Sequence, residues 1–473
     1  MGDIEMVGIV SYGVYLPYFR LKREAIGAAL GSPAGRGTRS VASYDEDATT
    51  MGVEAARAAL RPTDVAPSWL LFATSAPTYL DKTNANAIHA ALDLDSSAGA
   101  YDMVGSVRSG VGALRSALAT HSSTLAVLSD VRTGNPGGAD ERDGGDGAVA
   151  ILCGREGVIA EYIGGASATD EFLERWRRPG DAASHVWEER FGEDVYVPLA
   201  EQAWNDALKN TGLVASEIDH LVLTGTHPRS IRAFARSMGA RPEAFVDDLS
   251  AVVGNTGTAH PGLLLATALE KAEPGQIIAV VVLADGAEVL FFKATDAIAA
   301  YRPAKSVTEQ IPTTNDTLDY QKFLSWRGFL RREPPRRPDP VAPEAPPSHR
   351  HKSWKFSFTG STCEACGKRH LPPQDVCAGC RAVRQMRPER MADVEATIVT
   401  FTIDRLAYSE NPPNVAAVID FDGGGRYRCE LTDVDPSEVA IGGRVAMSFR
   451  RLFESNGIVN YHWKARPMRT GGA

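Results

Sequence analysis

The stretch AYDMVGSVRSGVGAL, Ala100 to Leu114, decides the fold. An apolar run leads into Gly105 and then into apolar residues at helical spacing, which predicts a strand, a tight turn and a helix. Many enzymes hold a nucleophile at such an elbow. This elbow has no cysteine, and neither Ser106 nor Ser109 has a histidine or an aspartate beside it in sequence.

The elements around this elbow occur twice along the chain. Each copy has a helix that starts with acidic residues, a strand, a glycine turn that opens a helix, and two buried strands. The first copy reads DEDATTMGVEAARAAL, WLLFATSAP, VGSVRSGVGALRSALA, TLAVLSD and GDGAVAILCG, and the second reads EDVYVPLAEQAWNDAL, IDHLVLTGTHP, VGNTGTAHPGLLLATALE, QIIAVVVLAD and DGAEVLFFKA. This order predicts a duplicated α/β fold whose two elbows converge on one pocket.

Length and composition limit the class of protein. A chain of 473 residues is long enough for about two to four domains. A net charge of −9 argues against a nucleic-acid partner, and the sequence has no apolar run of about 18 residues that would cross a membrane. The first residues lack the pattern of a signal peptide, so we expect a cytoplasmic protein.

A Pro-rich stretch, Glu333 to Lys352, divides the chain, and we expect it to form an extended spacer without helix or strand. The predicted domains are the first α/β half (1–165), the second half (166–315), a helix and linker (316–352), a zinc ribbon (353–390) and a small β-barrel (391–473).

Several motifs carry a resemblance to a known family. The motifs are EDATTMGVEAARAAL, ERWRRPGD at Glu174 to Asp181, the Gly-rich SDVRTGNPGGADERDGGDGAVAILCG, and VVGNTG at Val252 to Gly257. Together they resemble the thiolase superfamily, and most closely its archaeal-type 3-hydroxy-3-methylglutaryl-CoA synthase branch, over about residues 5 to 300. The resemblance implies a thiolase-like fold and a CoA-thioester substrate. It also implies an elbow cysteine that is acylated, a glutamate that acts as acid and base, and an assisting histidine.

The catalytic positions of that family are changed here. Val107 falls on the cysteine position and Ser75 on the glutamate position, whereas Asn255 is retained. The histidine position falls on Thr226 or, with a shift of one residue, on His227. A valine cannot form a thioester, and a serine cannot serve as acid or base near neutral pH.

The remaining polar residues suggest another chemistry. We interpret His227 and Asn255 as a catalytic pair that would stabilise the enolate of a thioester. His227 and His260 could equally be hydrogen-bonded structural residues. The other candidate substrate-binding residues are Ser75, Ser106, which could be a substitute nucleophile, Val107, Arg108, which either holds an anionic ligand or is a stacked or solvated arginine, and His260.

The tail carries a metal-binding pattern. Cys363, Cys366, Cys377 and Cys380 form two Cys-x-x-Cys pairs ten residues apart, which suit a structural, tetrahedral zinc site. Five strand-like segments follow and predict an OB-type barrel. Helix, zinc ribbon and barrel together resemble the acyl-CoA-associated zinc-ribbon/OB family. Its members pair with thiolase-like enzymes, and the resemblance implies that the CoA part of the substrate is held between the two proteins.

Three functions remain open at this point. The first is aldol or retro-aldol chemistry on an acyl-CoA without an acyl-cysteine. The second is a non-catalytic subunit that binds a CoA thioester beside a thiolase or synthase, and the third is an active synthase if the alignment is wrong. We expect structural zinc, CoA as part of the substrate, and a homodimer that acts alone or with a thiolase-like protein.

Overall fold

The computed structural model describes residues 6–31, 33–336 and 340–469, and the first half of the chain forms one side of a large sheet. Its strands lie in the order β5-β4-β6-β7-β1, with β4 parallel to β5 and β6, and β7 antiparallel to β6 and β1. The elements of this half are β1 (Gly8–Tyr15), β2 (Phe19–Lys22), α1 (Arg23–Leu30), β3 (Thr38–Val41), α2 (Ala48–Leu60), β4 (Trp69–Thr74), α3 (Ala85–Leu92), β5 (Gly99–Val104), α4 (Arg108–Ala119), β6 (Thr124–Asp130), α5 (Ala139–Asp143) and β7 (Gly147–Gly154).

The second half repeats this arrangement. Its strands lie in the order β11-β12-β13-β8 with the corresponding directions, and β8 joins β1 so that the nine strands form one sheet. A single parallel bridge between Leu221 and Phe245 stands where the first half has β5. The elements are β8 (Ala160–Ala168), β9 (Arg175–Trp176), β10 (His185–Val186), α6 (Glu189–Thr211), β11 (His220–Gly225), α7 (Pro228–Ser237), α8 (His260–Leu269), β12 (Ile277–Leu283), β13 (Ala287–Ala294) and α9 (Val307–Gln310).

Helices α4 and α8 occupy the centre of the molecule. Apolar residues of both helices share one core with strands of both halves, and every residue of α8 is buried. Gly110 of α4 allows the close approach, because a Cβ there would stand 2.2 Å from the carbonyl oxygen of Thr258. The predicted duplicated α/β fold is therefore confirmed.

The tail forms the two predicted small domains. In the zinc ribbon, β16 and β17 pair with β15, and the five barrel strands follow the order β20-β19-β18-β21-β22. A parallel bridge between Leu431 and Ala465 brings the two ends of that sheet together, as an OB barrel requires. The elements are β14 (Asn315–Leu318), α10 (Tyr320–Trp326), α11 (Ala345–Arg350), β15 (Thr359–Cys363), β16 (Arg369–His370), β17 (Met386–Arg390), β18 (Ala396–Asp404), β19 (Asn414–Phe421), β20 (Arg426–Glu430), β21 (Arg444–Ser455) and β22 (Ile458–Pro467).

One expectation about the linker is wrong. Residues 345–350 form the short helix α11 within the Pro-rich stretch, which we expected to be extended throughout. Prolines fall in its first turn, where the backbone needs no internal N–H donor, so they do not prevent a helix from starting.

Candidate functional site

The first elbow has the predicted geometry but no reactive group at the helix start. Gly105 takes φ of +117°, which favours glycine, and Val107 is buried at the N-cap of α4. The guanidinium of Arg108 donates to the carbonyl oxygen of Asp285 and, at 2.8 Å, to the hydroxyl of Thr169. Arg108 therefore ties the elbow to the second half and is neither stacked nor free in solvent.

Ser106 precedes Val107 and is half-buried. In the part of the chain that the structure describes, no histidine or carboxylate bonds to its hydroxyl. A serine hydroxyl needs such a neighbour to become a nucleophile, so the geometry does not support Ser106 as a substitute for the missing cysteine.

Ser75 belongs to a buried cluster around Asp130. The carboxylate of Asp130 accepts from the backbone N–H of Ser75 at 2.7 Å and from its hydroxyl at 3.0 Å. It also accepts from the N–H and hydroxyl of Thr258, at 2.8 and 2.7 Å. Because Thr258 follows the second elbow, Asp130 joins the two halves of the α/β domain. Asp130 was not among the predicted site residues, although it ends the apolar strand TLAVLSD.

Asn255 bonds to the last residue of β11, and His227 lies two residues after that strand. The side-chain amide of Asn255 donates to the carbonyl oxygen of Gly225 at 2.8 Å, and its oxygen accepts from Gly257 N–H, which leaves one amide hydrogen. His227 caps α7, because its Nδ1 accepts from the backbone N–H of Ser230 at 3.1 Å. The same Nδ1 lies 2.6 Å from the hydroxyl of Ser230. With Nδ1 assigned as the acceptor, the neutral ring carries its proton on Nε2.

His260 lies deeper in the fold. It is buried at the start of α8, and its Nδ1 accepts from the backbone N–H of Thr256 at 3.3 Å. Burial is the largest cause that lowers its pKa to about 4. The ring is therefore neutral near pH 7, and this contact fits a structural residue.

Glu174 is a buried acid without a partner. Its side chain is 1% exposed, and neither carboxylate oxygen has a hydrogen bond among the described residues. Nε2 of His227 likewise has no partner, and that residue is 3% exposed. The side chains of Glu174 and His227 both lie against Gly192 of α6. A Cβ at residue 192 would stand 2.6 Å from Nε2 of His227 and 3.1 Å from Cγ of Glu174. Burial raises the pKa of Glu174 and lowers the pKa of His227.

Tyr196 connects His227 to the first elbow. Its ring stacks on His227 with centroids 5.9 Å apart, and its hydroxyl accepts from the backbone N–H of Asp285 at 3.1 Å. Asp285 is the residue that Arg108 contacts. The sequence motif ERWRRPGD contained Glu174, but only the packing of α6 against it distinguishes this acid from the charged residues beside it.

A cavity of about 710 Å³ opens beside Ser75, between the α/β domain and the barrel. The segments next to Ser75 and Arg132 line its inner wall, through Ala76, Pro77, Val131 and Thr133. Its outer wall contains aromatic and basic side chains from α10, the linker and the barrel; they include Trp326, Arg332, Tyr408 and Arg451.

Buried charges hold the barrel on the α/β domain next to this cavity. The guanidinium of Arg450 in β21 contacts Glu46 at 2.6 Å, Asp433, and the hydroxyl of Tyr15 at 2.9 Å. Burial, together with neighbouring acids, raises the pKa of Glu46 to about 7. Asp45 contacts Lys464 at 3.0 Å. Burial acts to raise the pKa of Asp45, but the nearby cations lower it to about 2.

The four ribbon cysteines form the predicted metal site. Their sulfur atoms all lie within 4.8 Å of one another, with Cys363 and Cys380 at 3.6 Å and Cys366 and Cys377 at 3.6 Å. Tetrahedral zinc with Zn–S bonds of about 2.3 Å separates its sulfur ligands by about 3.8 Å, so the four thiols fit zinc. Four thiolates leave no open position on the metal, as in structural zinc sites.

The other two cysteines are buried away from both elbows. Cys153 lies in β7 and Cys429 in β20. Burial raises the pKa of each thiol to about 12. Both are therefore protonated and unreactive near neutral pH, which agrees with the interpretation of them as small apolar residues.

Comparisons with known proteins agree with this architecture. Three family models match: 3-oxoacyl-[acyl-carrier-protein] synthase III C terminal at residues 208–290, the ChsH2 rubredoxin-like zinc ribbon domain at 356–386, and the ChsH2 C-terminal OB-fold domain at 389–450. The hydroxymethylglutaryl-CoA synthase of Methanopyrus kandleri is 28% identical over 346 residues, which cover 69% of this chain and 97% of that protein.

Two solved structures share the fold. A crystal structure of HMG-CoA synthase complexed with CoA has a TM-score of 0.59 at 16% identity, covering 67% of this chain and 89% of that one. MvaS in complex with 3-hydroxy-3-methylglutaryl coenzyme A has a TM-score of 0.58 at 20% identity, covering 72% and 94%. In the described residues, no helix is both long and apolar enough to cross a membrane. The chain thus joins a thiolase-like domain, similar to hydroxymethylglutaryl-CoA synthase, to a zinc ribbon and an OB-fold domain of the ChsH2 type.

Proposed function

We propose that this protein makes or breaks a carbon–carbon bond in a CoA thioester by aldol or retro-aldol chemistry, without an acyl-cysteine. One observation carries the proposal: none of the six cysteines is placed to accept an acyl group. Four form the metal cluster, two are buried with raised pKa values, and Val107 stands at the elbow.

The groups at the end of β11 support the chemistry. An aldol or retro-aldol step needs hydrogen-bond donors for the oxygen of the thioester, where negative charge develops in the enolate. The Nε2–H of His227 and the remaining amide hydrogen of Asn255 are donors of this kind. Neither donor requires a covalent intermediate.

The cavity beside Ser75 supports a CoA ligand. Its aromatic side chains offer surfaces for a base to stack on. Arg332 and Arg451, which pair with Glu410 and Glu454 at 3.7 and 3.8 Å, would exchange these acids for phosphates. Two structures with the same fold were solved with CoA or a CoA thioester. We infer that the CoA part lies between the α/β domain and the barrel.

The test uses the purified full-length chain and a panel of β-hydroxyacyl-CoAs. We expect an acyl-CoA and an aldehyde or ketone as products, with no acyl adduct in the intact mass. Iodoacetamide should leave the rate unchanged. An acyl adduct, together with loss of the rate on alkylation, would instead support a synthase. No turnover of any panel member, in cleavage or in condensation, would reject the enzymatic proposal.

A non-catalytic binding subunit is the second candidate. It is favoured by the internal bonds of Ser75 and Arg108, which leave these two residues little freedom to act on a substrate. Co-purification with a thiolase, and activity only in that complex, would support it. An isolated, active protein would contradict it.

We also propose that the protein is a homodimer. Strand β5 is the edge of the large sheet, and it exposes Tyr101 and Val104, with Trp69 stacked on Tyr101 at 5.3 Å. A twofold axis would pair β5 with its copy in antiparallel fashion. Light scattering should give a dimer, and Tyr101→Lys should give a monomer. A wild-type monomer at micromolar concentration would contradict this. The absence of a nucleic-acid partner and the cytoplasmic location stay predictions from the sequence.

A further inference from the structure

The buried pair of Glu174 and His227 is the strongest unexplained feature of the α/β domain. Buried polar groups in folded proteins almost always have hydrogen-bond partners, because an unmade bond is costly. Here three polar atoms, both carboxylate oxygens of Glu174 and Nε2 of His227, lack partners among the described residues. All three belong to side chains that pack against Gly192.

Gly192 leaves room for the side chains of Glu174 and His227 because it has no Cβ. Gly192 lies within α6, where alanine would favour the helix, but a Cβ at residue 192 would come within 2.6 Å of the ring of His227. The glycine therefore lets the side chains of both His227 and Glu174 pack against the backbone of α6. An acceptor carboxylate beside a donor N–H suits a hydroxyl group next to a carbonyl or oxyanion.

We propose that Glu174 is the general base and acid of the reaction and binds the β-hydroxyl group of a β-hydroxyacyl-CoA. This inference rests on the proposed function. The carboxylate takes the hydroxyl proton while the Cα–Cβ bond breaks, and the β-carbon leaves as an aldehyde or ketone. The bonding electrons pass to the thioester enolate, whose oxygen His227 and Asn255 hold. The proton on Glu174 then goes to Cα, which gives the acyl-CoA product.

The charges around the pair suit this role. The groups that act on Glu174 are Arg175, Asp285 and Asp140, and those that act on His227 are Glu189, Glu193, Arg175 and Arg229. Burial is the largest influence on both residues and shifts their pKa values towards each other. A raised carboxyl pKa suits a group that must both take and return a proton near neutral pH.

The first experiment compares Glu174→Gln with Glu171→Gln, an exposed acid in the same segment. With a β-hydroxyacyl-CoA that the wild type cleaves, we expect Glu174→Gln to lower kcat by about 100-fold or more and to remove the acidic limb of its pH profile. The Kd for acetyl-CoA should stay within threefold, and Glu171→Gln should behave as wild type. Glu174→Asp should restore part of the acidic limb. An unchanged kcat in Glu174→Gln would overturn the proposal.

A second experiment needs no turnover, so it separates this inference from the proposed function. Calorimetry compares the binding of 3-hydroxybutyryl-CoA with that of butyryl-CoA, which lacks the hydroxyl group. We expect the wild type to prefer the hydroxylated ligand by about tenfold, and Glu174→Gln to lose the preference. If the wild type cleaves nothing but shows this preference, the proposed reaction fails and the hydroxyl site stands. Equal affinities in the wild type, or a preference kept in Glu174→Gln, would overturn the site.

Discussion

The buried charges between barrel and α/β domain allow a quantitative test through Arg450→Met. Methionine keeps much of the side-chain volume but removes the cation that contacts Glu46 and Asp433. Removing one partner of a buried ion pair costs about 3–5 kcal/mol, since the other charge stays buried. Glu46 and Asp433 lose their cation here, whereas Asp45, which Arg450 also approaches at 3.5 Å, keeps Lys464. We therefore expect a loss in the upper part of this range.

The loss should depend on pH in a definite direction. The pKa of Glu46 is raised to about 7, above its ordinary value of 4.5, so the folded state holds this proton more tightly than the unfolded state does. Stability from this group is present below pH 4.5 and is lost as pH rises towards 7. Without Arg450 the carboxyl pKa rises further, so the variant should lose more stability at pH 8 than at pH 5.5.

Urea unfolding at the two pH values, followed by circular dichroism and by tryptophan fluorescence, measures the effect. Trp463 in the barrel core reports on that domain. The control is Arg426→Met, which removes an exposed ion pair with Asp420 and should cost less than about 1 kcal/mol. If Arg450→Met costs no more than this control, or costs the same at both pH values, the buried network does not hold the domains together as described.

Three further perturbations follow from the structure. The protein should contain one zinc by mass spectrometry. Cys363→Ser should lose the zinc and destabilise the tail, whereas Cys153→Ser should keep it. A wild type that is fully stable without zinc would contradict the site. Alanine ordinarily stabilises a helix relative to glycine, but the Cβ of Gly192→Ala would displace the ring of His227. We therefore expect this variant to lose about 1–2 kcal/mol of stability in urea unfolding. A gain in stability would show that the ring moves freely. Val107→Cys should place a thiol at the start of α4, where the helix lowers its pKa, so iodoacetamide should label it faster than Cys153, and equal rates would contradict the assigned elbow.

The sequence predicted the duplicated fold because its signals are local. Apolar strands and glycine turns recur in the same order, and the structure places them as β4 to β7 and β11 to β13. The zinc cysteines were equally clear, since their spacing alone brings four thiols together.

Contacts between distant segments could not be predicted in this way. The acidic start of α2 is typical of a helix N-terminus, and Asp47 does cap α2 by accepting from Thr50. Its neighbours Asp45 and Glu46, however, bind cations of the barrel some 400 positions later. Glu174 stood in a motif rich in charge, and only the approach of α6 shows that it is buried without a partner.

The single bridge at Phe245 makes the two ends of the nine-stranded sheet unequal. One end offers β5, a full strand of six residues, whereas beyond β11 the other end offers only one bridged pair. A chain with two unpaired edge strands could add further copies indefinitely, whereas a chain with one unpaired edge strand could pair with only one other copy. The proposed association through β5 would therefore join two chains, since the segment around Phe245 lies against β11 at the other end of the sheet.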